Sequence, residues 1–293
     1  MIFKILNNMN FRNNVIIKKG YRYLMNILRF FINNFPNQKL NLKILCNSFP
    51  KSGTYLLFSI LKSIPGVKDW GNFIASKPSL SYLEKSPERI EKKIKFLVPM
   101  EIVAAHVFYN KDVYQILLNN NCIMFFIYRD PRDIVISEAN YLYDMNRYHR
   151  LHKYFKKFPD LNDRIMFSIK GDEFYKTPIP YLNIKDRFNK YKEWMYCKDV
   201  FSIRYEDLIN NEKEEYIKNI INFYKEHSSN NNFNTDLIVK KAIKNSEPKK
   251  SHTYRTGKSE GWKKIFTEEH KKVFKDIAGD LLIELGYEKD LNW

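Results

Sequence analysis

The residues best suited to chemistry lie in three short segments. FPKSGT (Phe49–Thr54) sets Lys51, Ser52, Gly53 and Thr54 in succession. Between a strand and a helix, such a loop presents backbone N–H groups at the positive end of the helix dipole, where an anion binds. Lys51 adds a mobile positive charge. The segment is similar to a phosphate-binding P-loop but shorter than G-x-x-x-x-G-K-[ST]. YRDPRD (Tyr128–Asp133) supplies Arg129, with Ser137 following; a guanidinium suits bidentate phosphate recognition. YRTGKSEGWKKIFT (Tyr254–Thr267) forms a basic, glycine-containing loop through Arg255, Thr256, Gly257 and Lys258. Trp262 and Phe266, four residues apart, can anchor the helix that follows. Singly, each segment also fits a plainer description: a strand-to-helix turn, a capped helix start with an Arg–Asp pair, a solvent loop with an aromatic anchor. His106, in VAAHVFY, is the one histidine at a strand end near the presumed sheet edge. As a neutral imidazole it can take a proton from an acceptor group.

The elements around these segments alternate between strand and helix. Asn41–Ser48 reads as a strand, and Thr54 opens a helix with Leu57, Ile60, Leu61 and Ile64 at helical spacing, ended by Pro65-Gly66. Residues 66–100 read as turn-rich with one charged helix, Pro87–Lys95. Ile102–Ala105 is a short strand and Asp112–Leu118 a helix. Cys122–Tyr128 (CIMFFIY) is apolar throughout, as a central parallel strand covered on both faces must be. Asp130 then serves as N-cap with Pro131 at the first helical position, and the helix runs to about Met145. Residues 146–184 read as an irregular or helical insertion. A helix over Phe188–Tyr196, a strand over Val200–Arg204 and helices at 213–226, 235–245 and 268–285 complete the chain. This order predicts a three-layer α/β/α fold with a central parallel sheet. Residues 41–293 form the domain, and residues 1–40 are a basic, partly helical extension.

Composition narrows the partners. The formal net charge of +17 attracts polyanions. Nine basic residues against Glu247 and Glu260 fall between Lys240 and Lys264. A recognition helix, an RNP-like aromatic motif and zinc spacing are all missing, so no nucleic-acid partner is expected. Cys46, Cys122 and Cys197 have no metal-ligand spacing and give no disulfide framework. Cys46 and Cys122 sit in apolar runs as buried thiols, which suits a reducing, cytoplasmic setting. No run reaches the roughly 18 apolar residues of a membrane span, and asparagines interrupt MIFKILNNMN as a signal peptide. Residues 21–32 (YRYLMNILRFFI) form a basic amphipathic stretch that either packs on the domain or lies on a membrane surface.

Together and in this order, the three segments resemble the nucleotide-dependent sulfotransferase family over roughly Leu42–Trp293. The C-terminal GDLLIELGY and the segment around Lys153–Gly171 resemble microbial members more closely. The resemblance implies a P-loop-NTPase-like fold and a donor, 3′-phosphoadenosine-5′-phosphosulfate (PAPS), with PAP as product. It implies binding of the 5′-phosphosulfate by Lys51, Ser52, Gly53 and Thr54, beside Tyr55. Arg129 and Ser137 would bind the 3′-phosphate, and Arg255, Thr256 and Gly257 would close over it. His106 falls at the family's catalytic histidine, Lys51 beside the leaving oxygen, and Tyr205 of RYEDL near the adenine. The acceptor, a small molecule, glycan or lipid-type hydroxyl or amine compound, is not named by these residues. No metal is expected, because a transferring sulfuryl group carries less negative charge than a phosphoryl group. The chain departs from animal cytosolic members at Leu56, where they carry an adenine-stacking tryptophan. Ala104-Ala105 replaces their lysine-containing segment, GKSEGW displaces their glycine–tryptophan spacing, and their dimer motif is not recognisable. Two rivals remain: a kinase using Thr54 and Asp130 on Mg²⁺, and a basic nucleic-acid-binding protein.

Overall fold

The structure, a computed structural model, describes residues 42–172, 179–246 and 259–293. Arg255, Thr256, Gly257, Lys258 and the amphipathic stretch 21–32 lie outside the described residues. Five parallel strands, β1 (Lys43–Ser48), β2 (Lys68–Ala75), β3 (Glu101–His106), β4 (Cys122–Tyr128) and β5 (Val200–Arg204), form one sheet in the order β2-β3-β1-β4-β5. Every residue of β1 and β4 is buried, as expected of their unbroken apolar runs.

The two-residue period of a strand sorts these side chains. Leu45, Met124, Phe126 and Tyr128 enter one core, while Ile44, Cys46, Phe125 and Ile127 enter the other. The second core is closed by α1 (Thr54–Leu61) and, further along the chain, by helices over Lys213–Glu226 and Thr235–Asn245. The first is closed by α2 (Pro87–Lys95), α3 (Lys111–Asn119), α4 (Pro131–Asn140), α5 (His152–Phe155), α6 (Leu161–Lys170) and α7 (Ile184–Lys192). In chain order the remaining helices are α8 (Lys213–Glu226), α9 (Thr235–Asn245), α10 (Trp262–Ile265) and α11 (Glu268–Glu284). This is the three-layer α/β/α architecture. Burying a side chain such as Phe125, fully inaccessible, contributes about 1.5–3 kcal/mol.

Three boundaries differ from the sequence reading. Residues 66–100 contain β2, an edge strand whose mixed burial and internal register shift leave no clean alternation. His106 is the last residue of β3 rather than the first beyond it. The helix from Pro131 loosens after Asn140 into a π-turn over Tyr141–Met145, closed by Asn146 N–H on the Tyr141 carbonyl at 3.0 Å. Such widened turns often mark functional positions, and Tyr141, Leu142 and Met145 all line the main cavity.

The start of α4 is heavily tied. Asp130 accepts from Arg132 N–H at 2.8 Å. The buried Arg132 guanidinium also bonds Asp130 and Glu288, and lies 3.8 Å from the Trp262 ring centre and 4.6 Å from that of Trp293. One arginine thus joins the end of β4, α10 and the C-terminus. Glu206 accepts from Asp130 N–H and from the Tyr287 hydroxyl, which adds β5 to the same knot.

Candidate active site

All five strands run in one direction, so their carboxyl ends share an edge. Strand order reverses around β1, which makes that edge the place where ligands bind in such sheets. A cavity of about 1220 Å³ opens there. Lys51, Gly53, Thr54, Tyr55, His106, Arg129, Ser137 and Tyr205 all line it.

The loop after β1 is shaped by backbone more than by side chains. Lys51 and Gly53 both have left-handed φ, 70° and 95°. Alternating turns of this kind aim successive N–H groups into one concavity, and the first amides of α1 lack intrahelical partners. Gly53 is required twice over, because a Cβ there would lie 2.5 Å from the Tyr205 ring. The Ser52 side chain is fully buried, with no hydrogen-bond partner for Oγ among the described residues, and its N–H donates to the Phe49 carbonyl at 3.3 Å. The Thr54 hydroxyl is 2.6 Å from that of Ser48.

Lys51 is half-buried, its ammonium 3.8 Å from the Tyr141 ring centre. Burial brings its pKa down to about 8, with Glu138 opposing and the Arg129 charge assisting. The side chain therefore keeps its charge at neutral pH. Arg129 leaves β4 with its guanidinium 4.6 Å from the Tyr205 ring centre and 3.1 Å from the Asp133 carboxylate. Ser137, half-buried two turns into α4, faces the same cavity.

His106 is placed by its neighbours. The buried Asn47 side chain makes paired bonds with Val107 N–H and C=O at 2.8 and 3.0 Å, and Trp194 Nε1–H donates to the same carbonyl at 2.9 Å. Phe73 packs edge-on against the imidazole at 4.9 Å. His106 Nδ1 lies 3.1 Å from the Ser48 carbonyl and also 3.1 Å from the Ser48 hydroxyl, which can give or take a hydrogen bond. A carbonyl only accepts, so the neutral ring carries its proton on Nδ1 and keeps Nε2 as the proton acceptor. Burial, with help from the Lys51 charge and against two backbone hydrogen bonds, lowers its pKa to about 4. The imidazole is neutral at pH 7, the form a general base needs.

Two residues within or beside the quoted segments were missed as site residues. Asp133 accepts from Arg129 with one oxygen and from Trp262 N–H with the other, at 3.1 and 3.0 Å. It couples Arg129 to Trp262 at the start of α10. Its signal was its four-residue spacing from Arg129 on a helix start. Glu138, next to Ser137, is buried and takes bonds from Ser168, Tyr181 and Arg187 at 2.8, 2.7 and 2.5 Å. Burial pushes its carboxyl up, but Arg187 and the two hydroxyls outweigh this and hold it below the ordinary range. No local pattern announces a network assembled from α4, α6 and α7. Among the described residues, no three His, Cys, Asp or Glu side chains are grouped to hold a metal ion. Nor is any helix there long and apolar enough to cross a membrane.

The sulfotransferase-domain family matches residues 42–286, and the chain belongs to that family. Among solved structures, a mouse sulfotransferase, SULT7A1, complexed with PAP shares the fold with a TM-score of 0.59 at 18% identity, over 83% of this chain and 85% of that one. Retinol dehydratase, solved with androsterone and the inactive cofactor PAP and again with retinol and PAP, gives 0.54 at 13% identity, over 86% and 83%. A search of the curated proteins gives no match.

Proposed function

We propose that this enzyme transfers the sulfuryl group of PAPS to an acceptor hydroxyl or amine, with His106 as base. The observation that carries this reading is the convergence of Lys51, Arg129, Ser137 and a neutral His106 on one cavity. The neighbours crystallised with PAP at 13–18% identity support the same donor. The α1 N-terminus, the loop amides and Lys51 receive the 5′-phosphosulfate. Lys51 stabilises the charge that develops on the 5′-phosphate oxygen as its bond to sulfur breaks. Arg129, Ser137 and the segment through Arg255, Thr256 and Gly257 hold the 3′-phosphate, and Tyr205 and Tyr55 flank the nucleotide. The acceptor oxygen forms the new bond to sulfur while its proton passes to His106 Nε2. Ser48 and Asn47 hold the imidazole in the required tautomer and place.

No divalent metal enters this scheme. Residues 41–293 form the catalytic domain, with residues 1–40 as an extension. The test is transfer from radiolabelled PAPS to a panel of phenols, alcohols, amines and glycans in excess chelator. Labelled product with release of PAP supports the reading. Transfer only from ATP with Mg²⁺ replaces it with a kinase.

A further inference from the structure

The cavity is larger than a nucleotide requires, and the charges on its remaining wall are unbalanced. Among the described residues three carboxylates line it, and each has a cation: Asp69 with Lys62 at 2.9 Å, Asp133 with Arg129 at 3.1 Å and Glu138 with Arg187 at 2.5 Å. Beyond His106, Arg187 is thus committed, and Lys190 pairs with Glu84 at 2.8 Å. Lys77 lines the same wall with no carboxylate at ion-pair distance among the described residues. Glu84 and Asp172 act on it from farther away. One of its three protons goes to the Pro180 carbonyl at 3.0 Å, and the ammonium stands 4.0 Å from the Tyr82 ring centre.

The other side of this wall is a second histidine. His149 Nδ1 accepts from Leu151 N–H at 3.1 Å. A neutral ring bonded in this way must carry its proton on Nε2. Burial keeps the ring neutral by lowering its pKa to about 4, against the Glu138 charge. His149 is therefore the opposite tautomer of His106, and it presents a donor where His106 presents an acceptor. Its ring packs edge-on to Tyr82 at 5.5 Å. Tyr82 itself holds a left-handed φ of 55°, costly for a bulky side chain and usually retained where function fixes it. One strained tyrosine thus carries Lys77 and His149 together. Lys77 lies two residues past Ala75, the register partner of His106.

The geometry points to an acceptor that carries, besides its reacting hydroxyl, an oxyanion received by Lys77 and His149 Nε2–H. The walls between, Phe49, Phe108, Tyr141 and Tyr191, suit a ring. The class is a hydroxylated ring compound bearing a carboxylate or sulfonate. An ammonium-bearing acceptor is disfavoured, because every carboxylate on the wall among the described residues already has its cation.

This inference rests on the sulfotransferase reading, and one calorimetric series separates the two. The full chain is titrated with PAP, and the loaded protein then with 4-hydroxyphenylacetate, 4-hydroxybenzenesulfonate and neutral 4-hydroxyphenylacetamide. At least one anion should bind tenfold or more tighter than the amide, and the two anions distinguish carboxylate from sulfonate recognition. Lys77→Gln should remove that preference while leaving the amide and PAP within about twofold. Lys77→Arg should retain it, and His149→Phe should reduce it about threefold. An amide that matches both anions, no binding of either anion, or a preference that survives Lys77→Gln overturns the inference while PAP binding leaves the parent reading standing. Failure of the wild-type chain to bind PAP overturns both.

Discussion

The two halves of the cavity are built on different principles. The donor half is made from strand ends and the turns after them: the Phe49–Gly53 loop, Arg129 at the end of β4 and Tyr205 at the end of β5. In the proposed scheme much of its hold on the anion comes from backbone, through left-handed Lys51 and Gly53 and the start of α1. The acceptor half is made from side chains on separate elements, with Lys77 and Tyr82 after β2, Tyr141 on a π-turn, His149 in a loop and Arg187 on α7. His106 sits at the seam. The first half takes its geometry from the ends of β1, β4 and β5. The second is carried by residues outside the strands.

That contrast explains what was legible. Lys51, Arg129 and Ser137 were readable because local sequence fixes where they stand: each follows a strand or opens a helix at a set spacing. The central strands were readable because burial on both faces leaves an unbroken apolar run, as in CIMFFIY. β2 was not, because an edge strand with a register shift mixes exposed and buried positions. The Glu138–Arg187–Tyr181–Ser168 network was not, because its members lie as much as 49 residues apart and meet only when three helices pack. Asp133 was visible but unassigned. Only the fold shows that its second oxygen holds the Trp262 amide.

The sharpest way to break the comparison is at the seam. His106→Ala should lower turnover by about 10²–10⁴-fold, the usual contribution of a general base, while PAP affinity stays within a few-fold. Single-turnover transfer and calorimetry together check this. Near-wild-type turnover would remove His106 from the chemistry, and loss of PAP binding would move it into the donor half.

Next in size, Arg129→Ala should weaken PAP by about 10- to 100-fold, as expected for lost charge-assisted bonds. It should hardly affect the analogue lacking the 3′-phosphate. Equal losses for both would make Arg129 a structural residue paired with Asp133. Asp133→Asn should cost PAP about three- to tenfold by loosening Arg129 and the Trp262 amide. In a double-mutant cycle with Arg129→Ala the two losses should not add, whereas simple addition would separate Asp133 from the phosphate site.

The smallest effect is in the pH profile. Burial lowers the folded pKa of His106 to about 4, so the base stays deprotonated throughout the range above that value. The acid limb of kcat/KM should fall near 4 instead of near the ordinary histidine value of about 6.5. Lys51 must keep its proton, and its pKa is brought down to about 8, so activity should decline as pH rises through about 8. An acid limb near 6.5 would mean that His106 is solvated during catalysis.

The most direct test of the whole account needs no acceptor. The full chain, in excess chelator, is titrated by calorimetry with PAP and with adenosine 5′-phosphate. The account requires one PAP per chain, bound at least tenfold tighter than the nucleotide without the 3′-phosphate, and unchanged when Mg²⁺ is restored. Equal affinity for the two nucleotides, or binding that appears only with Mg²⁺, would contradict it.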